Sequence, residues 1–276
     1  MPDRDTRPLA DQPVVGAPPP NIARIYDYLL GGKDHFSADR EIGALIEKST
    51  PEVHLGVREQ RAVLRRAVRH LVAEAGLTQL IDIGSGLPTA SNVHEVAHRI
   101  DPSVRVVYVD NDPVVLAHAR ALLADNEQTL VVEGDLRQPR TILDNAELRD
   151  HLDLDRPVGL LLCGILHYIL DEEDPEGVTR QLYAALAPGS HVFVHHLVAG
   201  ADDDDPDARA IERTLRQSVG RGQFRTVEQV AALLHDLEPV DPGVTLVTRW
   251  RPDPDTPSVE DNPVLRLAAV ALARKP

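Results

Sequence analysis

Three carboxylates in this chain follow apolar runs, and the first leads into a glycine turn. The segment Leu80-Ile81-Asp82-Ile83-Gly84-Ser85-Gly86 passes from a hydrophobic run into Gly-x-Gly. Glycines at such a turn let a ligand touch backbone, and open α/β sheets bind ligands outside the carboxyl ends of their strands. Asp82 sets a carboxylate beside the turn, where it repels a diphosphate and suits a cationic or amine-bearing ligand. Thr89 stands where a dinucleotide fingerprint needs its third glycine, which also weakens a nicotinamide reading. Asp110 ends the next run, Val107-Tyr108-Val109-Asp110-Asn111-Asp112, about two dozen residues beyond the glycines; a carboxylate there can accept both hydroxyls of a ribose. Asp135, in Glu133-Gly134-Asp135-Leu136, is placed to accept the exocyclic amine of an adenine. Each has a structural alternative, since Gly-x-Gly turns are common and an Asp readily caps a helix or turn. Their order along consecutive strand ends favours a shared ligand.

The elements that must position these acids follow from hydrophobic period. Short β-rich runs at Gln79–Ile83, Arg105–Val109, Thr129–Glu133, Val158–Cys163, His191–His196, Val244–Thr248 and Leu265–Leu272 alternate with helical stretches, the pattern of βαβ units. Helices are expected at Ala90–Ile100, Pro113–Ala124, Glu176–Leu186 and Thr226–Leu237. The expected fold is α/β, a Rossmann-like doubly wound, mostly parallel seven-stranded sheet. Ahead of it, helices starting after Asn21, at Ser37 and near Glu52 form an N-terminal helical arm over residues 21–76. Residues 1–20, rich in proline and charge, read as a disordered leader, and residues 77–276 as the ligand-binding domain.

Composition removes other classes. With 44 acidic and 29 basic residues, the net charge of −15 repels nucleic-acid phosphates and anionic membranes. One cysteine, Cys163, excludes an intrachain disulfide and multi-cysteine metal clusters. No apolar run approaches a membrane span and the first residues are polar, so a cytoplasmic enzyme is expected. Aromatics make up 3% of the chain, too few for stacking platforms. The run Asp202-Asp203-Asp204-Asp205 lacks the alternating ligands and glycine of a calcium loop and reads as solvated surface; no metal is expected.

With its Asp-x-Gly-x-Gly turn followed by Asp110 and Asp135, the chain resembles the class I S-adenosylmethionine-dependent methyltransferases from about residue 77 onward. More narrowly, Tyr26-Asp27-Tyr28-Leu29-Leu30-Gly31-Gly32-Lys33-Asp34, Gly86-Leu87-Pro88-Thr89 and Tyr108-Val109-Asp110-Asn111-Asp112-Pro113 resemble an actinobacterial family of such proteins, over nearly the whole length. The resemblance implies S-adenosyl-L-methionine as cofactor. Asp82, Gly84, Ser85 and Gly86 would hold the methionine portion, Asp110 with Asn111 the ribose, and Gly134, Asp135 and Leu136 the adenine. Cys163 and Gly164, ending strand four, would lie beside the transferable methyl. The segment Cys163-Gly164-Ile165-Leu166 differs from the Asn-Pro-Pro-Tyr motif of DNA-base methyltransferases, which points to a small-molecule acceptor.

Methyl transfer asks mainly for alignment in a dry pocket, with a base where the acceptor must lose a proton. His167 leads as that base, against a packing role; His195 and His196 are weaker alternatives. Cys163, inside an apolar run, reads as packing rather than as a nucleophile. Tyr26 and the Gly31-Gly32 tip suggest that the arm folds over the ligand as a lid. Arg58, Arg65 and Arg69 could bind an acidic acceptor or the methionine carboxylate, with Arg58 the best candidate, the alternative being surface pairing. A noncatalytic adenosyl-ligand-binding protein and an NAD-dependent oxidoreductase are the competing readings.

Overall fold

The computed structural model describes residues 19–276 apart from 89–90, 124–125, 201–203 and 261. Apart from Pro19 and Pro20, the expected leader lies outside the described residues, as do Asp202 and Asp203. Five parallel strands, β1 (Gln79–Ile83), β2 (Arg105–Asp110), β3 (Thr129–Glu133), β4 (Gly159–Cys163) and β5 (His191–Leu197), carry the centre of the sheet. β8 (Ala268–Arg274) runs antiparallel to β5, and the two-residue strands β6 (Glu238–Pro239) and β7 (Thr245–Leu246) pair with β8. The strand order is β3-β2-β1-β4-β5-β8-β6. The chain winds outward from β1 in one direction, then returns to β4 and winds in the other. The reversal therefore falls between the carboxyl ends of β1 and β4, where a doubly wound sheet leaves a crevice.

Every residue of β1 is buried, as expected of a parallel strand covered on both faces. Alternation assigns Ile81 and Ile83 to one apolar cluster, with Val107, Leu160 and Val194, and Leu80 to the other, with Val106, Leu161 and Phe193. The first is covered by α8 (Pro175–Ala184), among other helices, through Val178 and Leu182, the second by α3 (Val53–Arg69) through Val63, Leu64, Ala67 and Val68. No helix among the described residues is long and apolar enough to cross a membrane.

The sheet has eight strands rather than the expected seven. The run expected at Leu265–Leu272 is a 3-10 turn over Pro263–Leu267 before β8 begins, because Pro263 sets φ and lacks an N–H for the ladder. The helix expected to end at Leu237 is only Val227–Ala232, which frees Glu238 and Pro239 to pair with β8. Among the described residues three α-helices lie outside the expected set: the short α6 (Pro139–Leu143) and α7 (Ala146–His151), and the longer α9 (Pro206–Val219). Asp205, read as part of a solvated run, is the N-cap of α9: Oδ1 accepts from the backbone N–H groups of Asp207 and Ala208, and the carboxylate also pairs with Arg266.

The arm consists of α1 (Ile22–Leu29), α2 (Ser37–Ser49) and α3, capped at its start by Asn21, whose side chain accepts from Ala23 N–H. Arg24 on α1 is 1% exposed. Its Nε donates to Asp39 of α2 at 3.0 Å and its Nη1 to Asp112, just beyond β2, at 2.8 Å. Asp112 in turn accepts from Val114 and Val115 N–H and so caps α5 (Pro113–Leu123). The arm is thereby tied to the loop that follows Asp110.

Candidate active site

A cavity of about 410 Å³ opens at the carboxyl ends of β1 to β5, roofed by α1, α2 and α3. That volume lies in the range of pockets that hold small ligands, roughly 300–1,000 Å³. From β1 and its turn come Asp82, Gly84, Ser85 and Gly86; from β2, Asp110 and Asn111; from the end of β3, Gly134, Asp135 and Leu136. Cys163, Gly164 and His167 enter from β4 and the turn after it, and Tyr26 from the arm. Gly84, Gly86 and Gly164 all adopt positive φ, which L side chains rarely tolerate. A Cβ at Gly86 would meet only Ala23 Cβ, at 4.0 Å, so the turn faces open space below the arm.

The acids differ in their surroundings. Asp110 Oδ2 accepts from Gly86 N–H and its Oδ1 from the N–H groups of Asn111 and Asp112, so it ties the glycine turn to β2. Burial nonetheless raises its pKa. Asp82 accepts no hydrogen bond among the described residues; burial, opposed by Arg61 and reinforced by Asp110, pushes its carboxyl up to about 7. Asp135 is bound by Arg137, whose Nε reaches both carboxylate oxygens at 2.9 and 3.0 Å. Burial works to raise its pKa, but the hydrogen bonds to Arg137 prevail and hold it below the usual carboxylate range.

Two of the residues expected to hold the cofactor are not among those lining the cavity. Arg58 is exposed on α3, because it follows the inward-facing Val57 by one position and so points about 100° away round the helix. Arg61 holds the place expected of Arg58, between Val57 and Leu64 on the inward face, and lines the cavity near Asp82. A lone cation at i+4 within an apolar stripe was the available sign. Gly32 packs on its own arm: its N–H donates to Asp27 carbonyl, and a Cβ there would meet the Asp27 carboxylate at 2.0 Å. Of the other arginines, Arg69 pairs with Asp253 at the surface.

The three histidines have separate surroundings. His167 stands in a 3-10 turn against Tyr168 and edge-on to His196 and Phe224, and burial holds its pKa well below the usual value. His196 is fully engaged, its Nδ1 on Leu197 carbonyl and its Nε2 accepting from Arg225 at 3.1 Å. His195 lines the cavity, and neither of its buried ring nitrogens has a hydrogen-bond partner. Burial pushes His195 down to about 4, so the imidazole is neutral at pH 7. Cys163 is driven the other way by burial, up to about 12, and remains a thiol rather than a nucleophilic thiolate.

Comparison with known proteins agrees with this architecture. A family model described as S-adenosyl methyltransferase matches residues 10–276. A crystal structure from Thermobifida fusca YX, given as a candidate methyltransferase, superposes with a TM-score of 0.88 at 43% identity, covering 93% of this chain and 95% of that one. A DUF574 family protein from Streptomyces avermitilis MA-4680 gives a TM-score of 0.88 at 39% identity, over 94% of this chain and 98% of the other. A carboxy-S-adenosyl-L-methionine synthase from Chromohalobacter salexigens is 28% identical over 199 residues, 65% of this chain and 67% of that protein. The chain thus belongs to the S-adenosyl methyltransferase family, enzymes with S-adenosyl-L-methionine as methyl donor.

Proposed function

We propose that the chain methylates a small-molecule acceptor by in-line transfer, with the cofactor laid across the ends of β3, β2 and β1. The observation that carries this is the convergence of Asp82, Asp110 and Asp135 from three successive strand ends on one cavity. The residues suit the group. Asp110 offers carboxylate lone pairs to the ribose hydroxyls while it braces the glycine turn. Asp135, already fixed by Arg137, accepts from the adenine amine with its remaining lone pairs, and Leu136 gives the base an apolar contact. Asp82, buried without a hydrogen-bond donor, is the partner for the methionine ammonium, and Arg61 for its carboxylate.

S-adenosylmethionine supplies a methyl on a sulfonium that is already a good leaving group. The chain therefore needs chiefly to align the acceptor and exclude water. Gly164, at positive φ and lacking a side chain, leaves the backbone free to approach the reacting centre. Residues 21–76 act as a lid, because Ala23, Tyr26, Val57 and Arg61 all face the cavity. The single free cysteine supports a cytoplasmic enzyme.

Titration calorimetry with S-adenosylhomocysteine and with NAD tests the assignment. Saturable binding of the first, none of the second, and a loss of at least about a hundredfold in Asp110→Ala are expected, the last from losing a doubly hydrogen-bonded carboxylate. Binding of NAD alone refutes the reading.

A further inference from the structure

The cavity is chemically divided along the strand order. Its charged walls, Asp82, Asp110, Asp135, Arg61 and Arg137, belong to β1, β2, β3, the turns that follow them and the adjoining turn of α3. The other half, beyond β4, is walled by Ile25, Leu29, Ile46, Ile211, Leu215 and Leu265, all members of one apolar cluster that joins the arm to α9 and the turn before β8. The charged side chain that reaches this half from elsewhere, Arg221, is neutralised by Glu173 at 2.7 Å and also donates to Tyr168 carbonyl. Among the described residues no unpaired charge faces the apolar half. At its inner end, where β5 registers with Cys163 of β4 and Val270 of β8, stands His195.

His195 is 1% exposed, and its two ring nitrogens lack hydrogen-bond partners. The neighbouring His196 and His167 do not share this condition, since the first is bonded to Leu197 and Arg225 and the second accepts a long bond from Leu197 N–H. Leaving buried polar atoms unpaired is costly, and a ligand that pairs them recovers the loss. A neutral imidazole offers one donor and one acceptor, which matches a hydroxyl in either sense. A charged acceptor group would instead lie against aliphatic side chains with no counter-ion.

We propose that the methyl acceptor is an uncharged, largely apolar small molecule carrying a hydroxyl, and that His195 recognises that hydroxyl. This rests on the cofactor placement above, which assigns the charged half to S-adenosylmethionine and leaves the apolar half to the acceptor.

Equilibrium dialysis of the full chain, first with S-adenosylhomocysteine and then, with that ligand saturating, with four probes at pH 7.5, tests the acceptor and the cofactor separately. The probes are 2-naphthol, naphthalene, 2-naphthoate and 2-naphthylmethylammonium. The expected order has 2-naphthol about tenfold tighter than naphthalene and at least about a hundredfold tighter than either charged analogue. In His195→Leu the preference for 2-naphthol over naphthalene falls to within about twofold, whereas a purely structural histidine would move both ligands together. Unchanged affinity for S-adenosylhomocysteine shows that the variant is folded, and the wild-type comparison of charged with neutral probes stands without it. Tight binding of either charged analogue, no binding of 2-naphthol, or a preference that survives His195→Leu overturns the proposal. Failure of S-adenosylhomocysteine itself to bind strikes instead at the cofactor reading.

Discussion

On the proposed pairing of Asp82 with the methionine ammonium, its buried carboxyl makes cofactor affinity depend on pH in a direction the structure fixes. Desolvation is the main cause of its rise to about 7, with Asp110 adding repulsion and Arg61 offsetting part of both. At pH 6 such a group is about one-tenth ionised and at pH 8 about nine-tenths. A ligand ammonium that pairs with the carboxylate therefore binds about ninefold tighter at pH 8, a difference of about 1.3 kcal/mol, and releases a proton as it does so at the lower pH. Linkage to folding has the opposite sense. The native state holds a proton that the unfolded chain has lost between about pH 4 and pH 7, so ligand-free stability from this group falls as pH rises through that window. Across the whole window the loss is about 4 kcal/mol at most. Asp82→Asn removes both slopes. Calorimetry of S-adenosylhomocysteine binding at pH 6, 7 and 8, in two buffers of different ionisation enthalpy, counts the proton directly. His94, beside Tyr108, is held below its usual pKa by burial and so adds little above pH 6. Affinity that is flat from pH 6 to pH 8, or a slope that persists in Asp82→Asn, refutes the reasoning.

Three further outcomes follow from the same geometry. Arg24→Met strands Asp39 and Asp112 as buried, unpaired carboxylates and should lower stability by about 3–5 kcal/mol in urea denaturation; a loss under about 1 kcal/mol would show that the pair does not hold the arm. Arg61→Ala removes the cation that lowers the Asp82 pKa, so the midpoint of the pH dependence of S-adenosylhomocysteine affinity should move above its wild-type position, an outcome calorimetry reads directly. Gly86→Ala places a Cβ at φ +67° in the open space below the arm, costing about 1 kcal/mol of stability by thermal melting. The same Cβ stands where the ligand passes, so ligand affinity should fall by more than that backbone strain explains.

The parallel strands are legible in the sequence because burial makes most of β1, β2, β4 and β5 apolar and the half-buried edge strand β3 keeps Leu130, Val131 and Val132, and their ends fix where Asp82, Asp110 and Asp135 converge. The antiparallel edge is legible only in part. β7 falls inside the run expected at Val244–Thr248, but β6, of two residues, is too short for alternation to register, and their partner β8 blurs into the 3-10 turn before it. Helix α9 hides behind an acidic run whose last member, Asp205, is a cap, a role that composition alone does not separate from a solvated loop. Arg58 stands out over Arg61 because basic residues grouped beside an apolar stripe look like a binding edge, whereas the helical period puts Arg61 inside the stripe. His195 ranks below His167 on sequence because nothing there shows that Arg225 engages His196 and leaves its neighbour unpartnered.

The buried ion triad of the arm makes sense only against the apolar half of the cavity. Ile25, Leu29 and Ile46 bury themselves against Ile211, Leu215 and Leu265, and such contacts attract without fixing register, since aliphatic surfaces slide past one another at little cost. A guanidinium buried at 1% exposure tolerates no such freedom, because displacement by one helical turn would strand three charges at once. Arg24 thus converts a general apolar attraction into one position. It does so by reaching Asp112, two residues beyond the proposed ribose acid, whose N–H also donates to Asp110. The roof over the apolar half of the cavity is in this way referenced to the floor of its charged half, so that on the proposed placement acceptor and cofactor meet at a distance set by the protein rather than by their own diffusion.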